Sequence, residues 1–123
     1  MRALIVDDSQ FVRKHLRRLL EERGMECEEA ADGESAMNLI RRSAPFGVAF
    51  VDWNMPLMNG PEMVRHARAE GYDSMKVIMV TTEGDKENIL RALAAGADEY
   101  LMKPFDRDAL REKLALLGIE EQG

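Results

Sequence analysis

Short apolar runs, rich in aliphatic and β-branched residues, recur along the chain between longer amphipathic stretches. They lie at residues 3–6, 48–51, 76–81 and 100–102. The second and third runs are almost continuously apolar, which is typical of parallel strands that are covered on both faces. A fifth run, at residues 25–30, is half polar and therefore predicts an edge strand.

The stretches after these strands place apolar residues three and four positions apart, which predicts an amphipathic helix after each strand. The apolar positions are Val12, Leu16, Leu19 and Leu20; Ala36, Met37, Leu39 and Ile40; Met63, Val64 and Ala67; Ile89, Leu90, Leu93 and Ala94; and Ala109, Leu110, Leu114 and Leu117. The first helix is predicted at about residues 9–23 with Gly24 placed to end it, and Asp106 suits the N-cap of the fifth. Strict alternation of strand and helix indicates an α/β fold, with a parallel sheet, right-handed crossovers and helices on both faces.

The composition is that of an acidic globular protein. Of its 123 residues, 46% are apolar and 33% are charged, which predicts one folded domain over residues 1–123. Its 17 Lys and Arg against 23 Asp and Glu give a net charge of −6, which disfavours nucleic-acid and membrane partners. The lone Cys27 excludes an internal disulfide and a multi-thiolate metal site. Without a signal peptide or an apolar run of ~20 residues, we expect a cytoplasmic protein.

Four of the predicted strands end in residues that carry a charge or a hydroxyl group. These residues are Asp7-Asp8, Asp52, Thr81-Thr82 and Lys103-Pro104, after the first, third, fourth and fifth strands. Parallel sheets bind ligands beyond the carboxyl ends of their strands, so we expect three carboxylates, a hydroxyl and an ammonium in one pocket. Each residue alone is explained by a turn, a helix cap or a solvated surface, and only their conjunction favours a functional site.

The chemistry of this set points to a metal and to phosphate. Two like charges about 4 Å apart repel by roughly 4 kcal/mol at an effective dielectric constant of ~20, so three carboxylates need a cation beyond one Lys. Hard oxygen ligands with positions left for water suit Mg²⁺. A carboxylate can attack phosphorus, while a metal, an ammonium and a hydroxyl stabilise the transferring oxygens. The strand ends therefore predict Mg²⁺-dependent phosphoryl transfer to an Asp.

The sequence resembles a receiver domain of the two-component response-regulator family, most closely the stand-alone chemotaxis (CheY-like) type. The matching motifs are Val6-Asp7-Asp8-Ser9, Asp52-Trp53-Asn54-Met55-Pro56 with Gly60, Val80-Thr81, Gly96-Ala97, and Tyr100 with Lys103-Pro104-Phe105. The resemblance covers essentially the whole chain and implies a flavodoxin-like (βα)5 fold with strand order 2-1-3-4-5. It also implies a single receiver domain with no output domain, and we expect a monomer.

By this resemblance, Asp52 accepts a phosphoryl group from a histidine kinase. Lys103 pairs with that group and Thr81 donates a hydrogen bond to it, which makes these three the catalytic residues. The family's peptide bond before Pro104 is typically cis, so we expect a cis bond here. Mg²⁺ is the implied cofactor, and its implied ligands are Asp8, Asp52 and the backbone carbonyl of Asn54, with Asp7 acting through water.

The same resemblance implies a conformational switch and residues that set the rate of dephosphorylation. Thr81 moves toward the phosphoryl group, and the ring of Tyr100 turns inward to repack the surface of the fourth helix, fifth strand and fifth helix. Without a switch, Tyr100 is simply a half-buried ring on an edge strand. Asn54 and Glu83 flank the path of attacking water, so we expect rapid dephosphorylation. Thr82 replaces the small residue that is common at its position, and its added bulk narrows access for phosphodonors.

The expected role is a signalling protein, not an enzyme, since it catalyses only its own phosphorylation and dephosphorylation. Its expected target is a protein, and the flagellar motor switch is favoured. One alternative is a relay carrier that passes phosphate to a histidine phosphotransfer protein. A more remote alternative is a Mg²⁺-dependent phosphohydrolase with an Asp nucleophile, which the Asn at position 54 and the lack of a cap insertion disfavour.

Overall fold

The computed structural model describes residues 1–82, 84 and 86–119, in which five strands alternate with five helices. In chain order they are β1 (Arg2–Val6), α1 (Gln10–Glu21), β2 (Glu26–Ala30), α2 (Gly33–Ser43), β3 (Val48–Asp52), α3 (Gly60–Ala69), β4 (Lys76–Thr81), α4 (Lys86–Ala95), β5 (Glu99–Met102) and α5 (Arg107–Leu116). Each predicted element is present, with ends that differ by a few residues.

The five strands form one parallel sheet in the order β2-β1-β3-β4-β5, which confirms the fold class. The register pairs Val6 of β1 with Val51 of β3. It also pairs Asp52 with Val80 and Thr81 with Met102. Because all the strands run the same way, the residues that follow them meet at one edge of the sheet.

Side chains of the central strands alternate between two apolar cores, one on each face of the sheet. Val48 and Phe50 of β3 pack into the core beneath α1 and α5, whereas Ala49 and Val51 pack into the core beneath α2, α3 and α4. None of these four side chains is more than 1% exposed. Cover on both faces explains why the run at residues 48–51 contains no polar residue.

Strand β2 is the polar edge that the sequence predicts. Glu26 and Glu28 are exposed, whereas Cys27 and Ala30 are buried in the two apolar cores on opposite faces of the sheet. Burial raises the pKa of the Cys27 thiol to about 11, so the thiol stays protonated at neutral pH.

Short polar side chains fix the first turns of the helices. The Asp106 carboxylate accepts a hydrogen bond from the Ala109 N–H at 2.8 Å, which confirms the predicted cap of α5. Helices α1, α2 and α3 are capped in the same way by Ser9, Asp32 and Asn59. Gly24 follows α1 with a φ of 87°, a conformation that favours glycine. In the part of the chain that the structure describes, no helix has the length and apolar content that crossing a membrane requires.

A cluster of charges joins α1 to the edge strand. Arg13, Lys14 and Arg17 on α1 all form ion pairs with Glu29 of β2, the first at 3.0 Å and the second at 3.4 Å. Partial burial alone would raise the pKa of Glu29, but the hydrogen bonds from Arg17, Arg13 and Lys14 hold it below its ordinary value. Three of the basic side chains on α1 therefore have an ion-pair partner within the molecule.

Replacing Glu29 with Gln should lower the free energy of unfolding at neutral pH by about 1–3 kcal/mol, because charge-assisted hydrogen bonds are lost. A carboxyl whose folded pKa is depressed stabilises the fold above its unfolded pKa and loses that contribution as the pH falls through the folded pKa. The gap between parent and variant should therefore close in acid. Urea denaturation across a pH series measures it.

The matched control is Glu28→Gln, since Glu28 neighbours Glu29 on the same strand but is exposed. Its effect should stay within about 0.5 kcal/mol of the parent. An equal loss in both variants, or a Glu29→Gln deficit that persists unchanged into acid, would contradict the role given to this cluster.

Candidate functional site

The carboxyl edge of the sheet brings three acidic side chains together. Carboxylate oxygens of Asp7, Asp8 and Asp52 lie within 4.8 Å of one another. The Lys103 ammonium lies 3.0 Å from an oxygen of Asp52 and 3.0 Å from an oxygen of Asp7. Four of the residues that the sequence predicts at strand ends thus form one cluster.

Asp7 is held firmly by its surroundings. Its N–H donates to the Ala30 carbonyl at 3.1 Å, and its carbonyl accepts from the Arg13 guanidinium at 2.7 Å. One carboxylate oxygen accepts from the Ser9 N–H at 2.9 Å, while the other faces Lys103. Asp7 is 2% exposed, whereas Asp8 is open to solvent, so the two adjacent acids have different surroundings.

Asp52 ends β3 with its side chain buried. Gly60 makes room for the backbone carbonyl of Asp52. The Gly60 N–H donates to the Trp53 carbonyl at 2.9 Å, which brings the start of α3 against the end of β3. A Cβ atom on Gly60 would lie 2.4 Å from the Asp52 carbonyl oxygen, a distance that no packed atom tolerates. The glycine that follows the Asp52 motif therefore keeps α3 close to the acidic cluster.

Lys103 reaches the cluster from the end of β5. Its backbone N–H donates to the Thr81 carbonyl at 2.8 Å, which extends the pairing of β4 with β5 by one residue. The bond between Lys103 and Pro104 is cis, as the resemblance implies. A second cis bond, between Ala44 and Pro45, was not predicted.

The site is strongly coupled electrostatically. Burial raises the pKa of Asp52, the hydrogen bond from Lys103 opposes this shift, and the Asp7 charge adds to it. Burial would lower the pKa of Lys103, but its hydrogen bonds to Asp52 and Asp7 raise the pKa above its ordinary value. The Lys103 side chain is therefore an ammonium at neutral pH.

The donor set fits a hard divalent cation. Three carboxylates against one ammonium leave excess negative charge, and oxygen donors of this kind are those that Mg²⁺ prefers. Asn54, the remaining predicted ligand, is exposed two residues after Asp52 in the loop before α3. Among the described residues, Asp7, Asp8 and Asp52 form the acidic group that could hold such an ion.

Thr81, Thr82 and Tyr100, three other predicted residues, lie on or directly after β4 and β5. Thr81 is 3% exposed at the end of β4, and Thr82 beside it is exposed. The Tyr100 ring on β5 is half-buried, and the Lys113 ammonium lies 3.9 Å from its centre. Glu83 lies outside the described residues.

An apolar pocket of about 350 Å³ opens beside Lys103, and sequence reasoning assigned it no role. Its walls come from α1 and from the segment after β5, where the His15 and Phe105 rings stack with centres 5.4 Å apart. Phe11 at its rim is 82% exposed. The only signal in the sequence is the aromatic residue at position 11, which breaks the polar start of the first helix.

Comparison with known proteins identifies the family. The family described as "Response regulator receiver domain" matches residues 3–115. The chain belongs to the response regulator receiver family. The Asp pair after β1, the Asp that ends β3 and the Lys after β5 thus lie within a receiver domain.

The receiver domain is similar to chemotaxis proteins. A "Chemotaxis protein CheY homolog" from Campylobacter jejuni is 43% identical over 116 residues, which are 93% of this chain and 89% of that protein. The structure of chemotaxis protein CheY4 from Vibrio cholerae matches with a TM-score of 0.88 and 36% identity, covering 94% and 96% of the two chains. The resemblance to the CheY-like type is confirmed.

A third relative was solved in a complex. The CheX–CheY–BeF3–Mg²⁺ complex from Borrelia burgdorferi matches with a TM-score of 0.90 and 27% identity, over 98% of this chain and 90% of that chain. That complex contains a magnesium ion and a beryllofluoride group.

Replacing Asp8 with Asn should stabilise the receiver domain by about 1 kcal/mol, because one of three crowded negative charges is removed from an exposed position. Added Mg²⁺ should raise the melting temperature of the parent, and the rise should grow with the logarithm of the Mg²⁺ concentration once the site is mostly filled. Thermal denaturation with and without Mg²⁺ measures both effects, and the variant should gain less from the metal.

The matched control is Asp73→Asn, which removes the same charge from an exposed position after α3. It should leave the response to Mg²⁺ as in the parent. A melting temperature indifferent to both Asp8→Asn and Mg²⁺ would mean that the three acids do not act as a cluster.

Proposed function

We propose that this CheY-like receiver domain is a phosphoryl-accepting switch in which Asp52 takes its phosphoryl group from a histidine kinase. The observation that carries the proposal is the Lys103 ammonium, 3.0 Å from both Asp52 and Asp7 inside a cluster of three carboxylates. A buried carboxylate beside a fixed ammonium has both the nucleophile and the countercharge that phosphoryl transfer requires.

In the proposed reaction, an oxygen of Asp52 attacks the phosphorus of a phosphohistidine. The bond from phosphorus to the imidazole nitrogen breaks, the imidazole leaves with the electron pair, and Asp52 becomes an acyl phosphate. Lys103 exchanges its bond to Asp52 for one to a phosphoryl oxygen. Its raised pKa supports this role, since the group stays charged at neutral pH.

Mg²⁺ is the proposed cofactor, and it would neutralise charge on the phosphoryl oxygens when bound. Asp8 suits direct contact with the ion because it is exposed, and Asp52 would share it with the phosphoryl group. Asp7 has both oxygens engaged by Ser9 and Lys103, which supports a contact through water. The carbonyl of Asn54 completes the proposed ligand set.

The proposed output runs through Thr81 and Tyr100 to the surface of α4, β5 and α5. A phosphoryl group adds about −1.5 to −2 charge and draws the Thr81 hydroxyl toward it. Leu90 and Leu93 on α4 are 54% and 45% exposed, and Met102 on β5 is 38% exposed. These apolar side chains support docking of a target protein, and the chemotaxis names of the relatives favour the flagellar motor switch.

In this proposal, the protein catalyses only its own phosphorylation and dephosphorylation and turns over no other substrate. Asn54 is exposed beside Asp52, where an amide would orient the water that hydrolyses the acyl phosphate. Glu83 is assigned the same role from sequence alone.

We also propose that the protein is a cytoplasmic monomer. The buried Cys27 thiol is free, which suits the reducing environment of the cytoplasm.

A relay carrier is the second candidate, and the pocket beside Lys103 favours it. Exposed Phe11 and the stacked His15 and Phe105 rings form an apolar surface next to the acceptor. A helical partner that carries a phosphorylated His could dock there. Two measurements separate the candidates. Transfer of labelled phosphate from the receiver domain to a histidine phosphotransfer protein supports the relay carrier, whereas binding of the phosphorylated domain to a motor peptide supports the switch.

Incubation with acetyl phosphate and Mg²⁺ should add one phosphoryl group to the parent, detected by intact-protein mass spectrometry. Asp52→Asn should add none, because the attacking oxygen is lost. Lys103→Gln should slow labelling by about 10²-fold, as the loss of one electrostatic donor does in related transfers. Removal of the metal with a chelator should abolish it.

Asp73→Asn serves as the matched control and should be labelled like the parent. Labelling that persists in Asp52→Asn would show that another residue is the acceptor. Labelling that is indifferent to the chelator would remove the metal from the proposal.

Beryllofluoride, as a phosphoryl mimic, should move the Tyr100 ring away from the Lys113 ammonium. The sequence contains two Tyr residues, so incorporation of fluorotyrosine gives two ¹⁹F signals. The Tyr100 signal should shift on addition of the mimic and Mg²⁺. Tyr72 contacts the same core cluster but lies between α3 and β4, before the start of β4 and at the opposite end of that strand from Thr81, so it is the internal control.

The shift should disappear in Thr81→Ala, because the proposed switch passes through the Thr81 hydroxyl. Equal Tyr100 signals with and without the mimic would contradict the switch while leaving phosphorylation of Asp52 untouched.

A further inference from the structure

A groove between α1 and α5 contains three arginines that the proposed function does not use. It holds a pocket of about 280 Å³ near the carboxyl end of α1, whereas the acidic cluster lies before the amino end of that helix. Its lining residues are Leu19, Glu22, Arg23, Arg107, Leu110 and Arg111. The lining therefore carries three positive charges and one negative charge over an apolar floor of two leucines.

Arg23 is the unusual member of this group. It is only 9% exposed, and its Nε–H is buried without a hydrogen-bond acceptor. Within residues 1–82, 84 and 86–119, it is the only side chain with such a buried, unpartnered polar atom. Buried donors are almost always paired, because an unpaired one forfeits the hydrogen bond that water gave it.

The acids near Arg23 are engaged elsewhere. Glu22 accepts two hydrogen bonds from Arg107, at 3.0 and 3.1 Å. Arg111 pairs with Asp108 at 3.1 Å, but both side chains are well exposed, so this pair is weak and Arg111 can leave it. In the described part of the chain, no carboxylate oxygen lies within 4.0 Å of the Arg23 guanidinium.

We propose that this groove is an oxyanion-binding site, in which Arg23 holds a carboxylate or phosphate group. The planar guanidinium matches both groups, and a turn of the Arg23 side chain toward the groove would give its buried Nε–H the acceptor that it lacks. Arg111 can turn toward the same ligand, while Arg107 stays with Glu22. The volume suits a small anion or one acidic group rather than a large cofactor. This inference is independent of the proposed phosphoryl switch.

The oxyanion has two sources. One is a free anion, for which inorganic phosphate is the probe. The other is the chain itself, because Glu120 and Glu121 follow buried Ile119 in the sequence, although they lie outside the described residues. A variant that carries both Glu120→Gln and Glu121→Gln separates these sources.

The experiment titrates inorganic phosphate at constant ionic strength and follows the Arg23 Nε–H and the Leu19 and Leu110 amides by NMR. The parent should give a saturable shift at these positions, distinct from any response at Lys103. Arg23→Leu should abolish it at the amides, and Arg23→Lys should weaken binding about tenfold or more, since the planar fork is lost. Arg65→Leu removes the same charge from an exposed site on α3 and should bind like the parent.

Arg23→Leu places an apolar side chain beside two leucines, and its fold is checked by its amide spectrum, with Arg23→Lys as the second variant. Saturable binding in the parent supports a free-anion site. Saturable binding that appears only after the Glu120 and Glu121 changes supports the same site filled by the chain's own carboxylate. A response that is unsaturable in both proteins, or unchanged in Arg23→Leu and Arg23→Lys, overturns the proposal.

Discussion

The ammonium of Lys103 among the carboxylates of Asp7 and Asp52 is the interaction on which the rest of the site depends. Without this cation, three acids would meet at the edge of the sheet and repel one another. With it, Asp52 stays buried beside a positive charge, and the exposed Asp8 leaves room for a second cation. In the proposed function, the same ammonium that offsets the repulsion also binds an oxygen of the incoming phosphoryl group.

The topology of the sheet, rather than the local sequence, brings Lys103 to the carboxylates of Asp7 and Asp52. Strands β1, β3 and β5 are far apart in the chain, yet parallel pairing brings their ends to one edge. Gly60 lets α3 start against the Asp52 carbonyl, and the hydrogen bond from Lys103 to the Thr81 carbonyl sets how far β5 reaches. On the other side, the Arg13 guanidinium bonds to the carbonyl of Asp7 and ties the acidic cluster to the charges around Glu29.

The alternation of apolar runs and amphipathic stretches was sufficient to predict every element, because a doubly covered parallel sheet leaves that pattern in the sequence. The meeting of Asp7, Asp8, Asp52 and Lys103 was predictable because strand ends share an edge in such a sheet. The ion pairs of Glu29 and the solitary position of Arg23 were not predictable. They depend on which side chains of two packed elements face each other, and spacing along one element does not carry that information. The roles of Thr81, Tyr100, Asn54 and Glu83 stay predictions.

Modification of the Cys27 thiol can report local unfolding of the sheet edge at β2. The Cys27 sulfur is buried and its pKa is raised, so the nucleophilic thiolate is rarer and less accessible in the folded molecule than in one whose edge has come apart. The rate at which a disulfide reagent modifies this single sulfur therefore rises when β2 detaches more often. Since β2 pairs with β1, which Asp7 and Asp8 directly follow, a ligand that binds the acidic cluster and stabilises this part of the sheet would lower that rate.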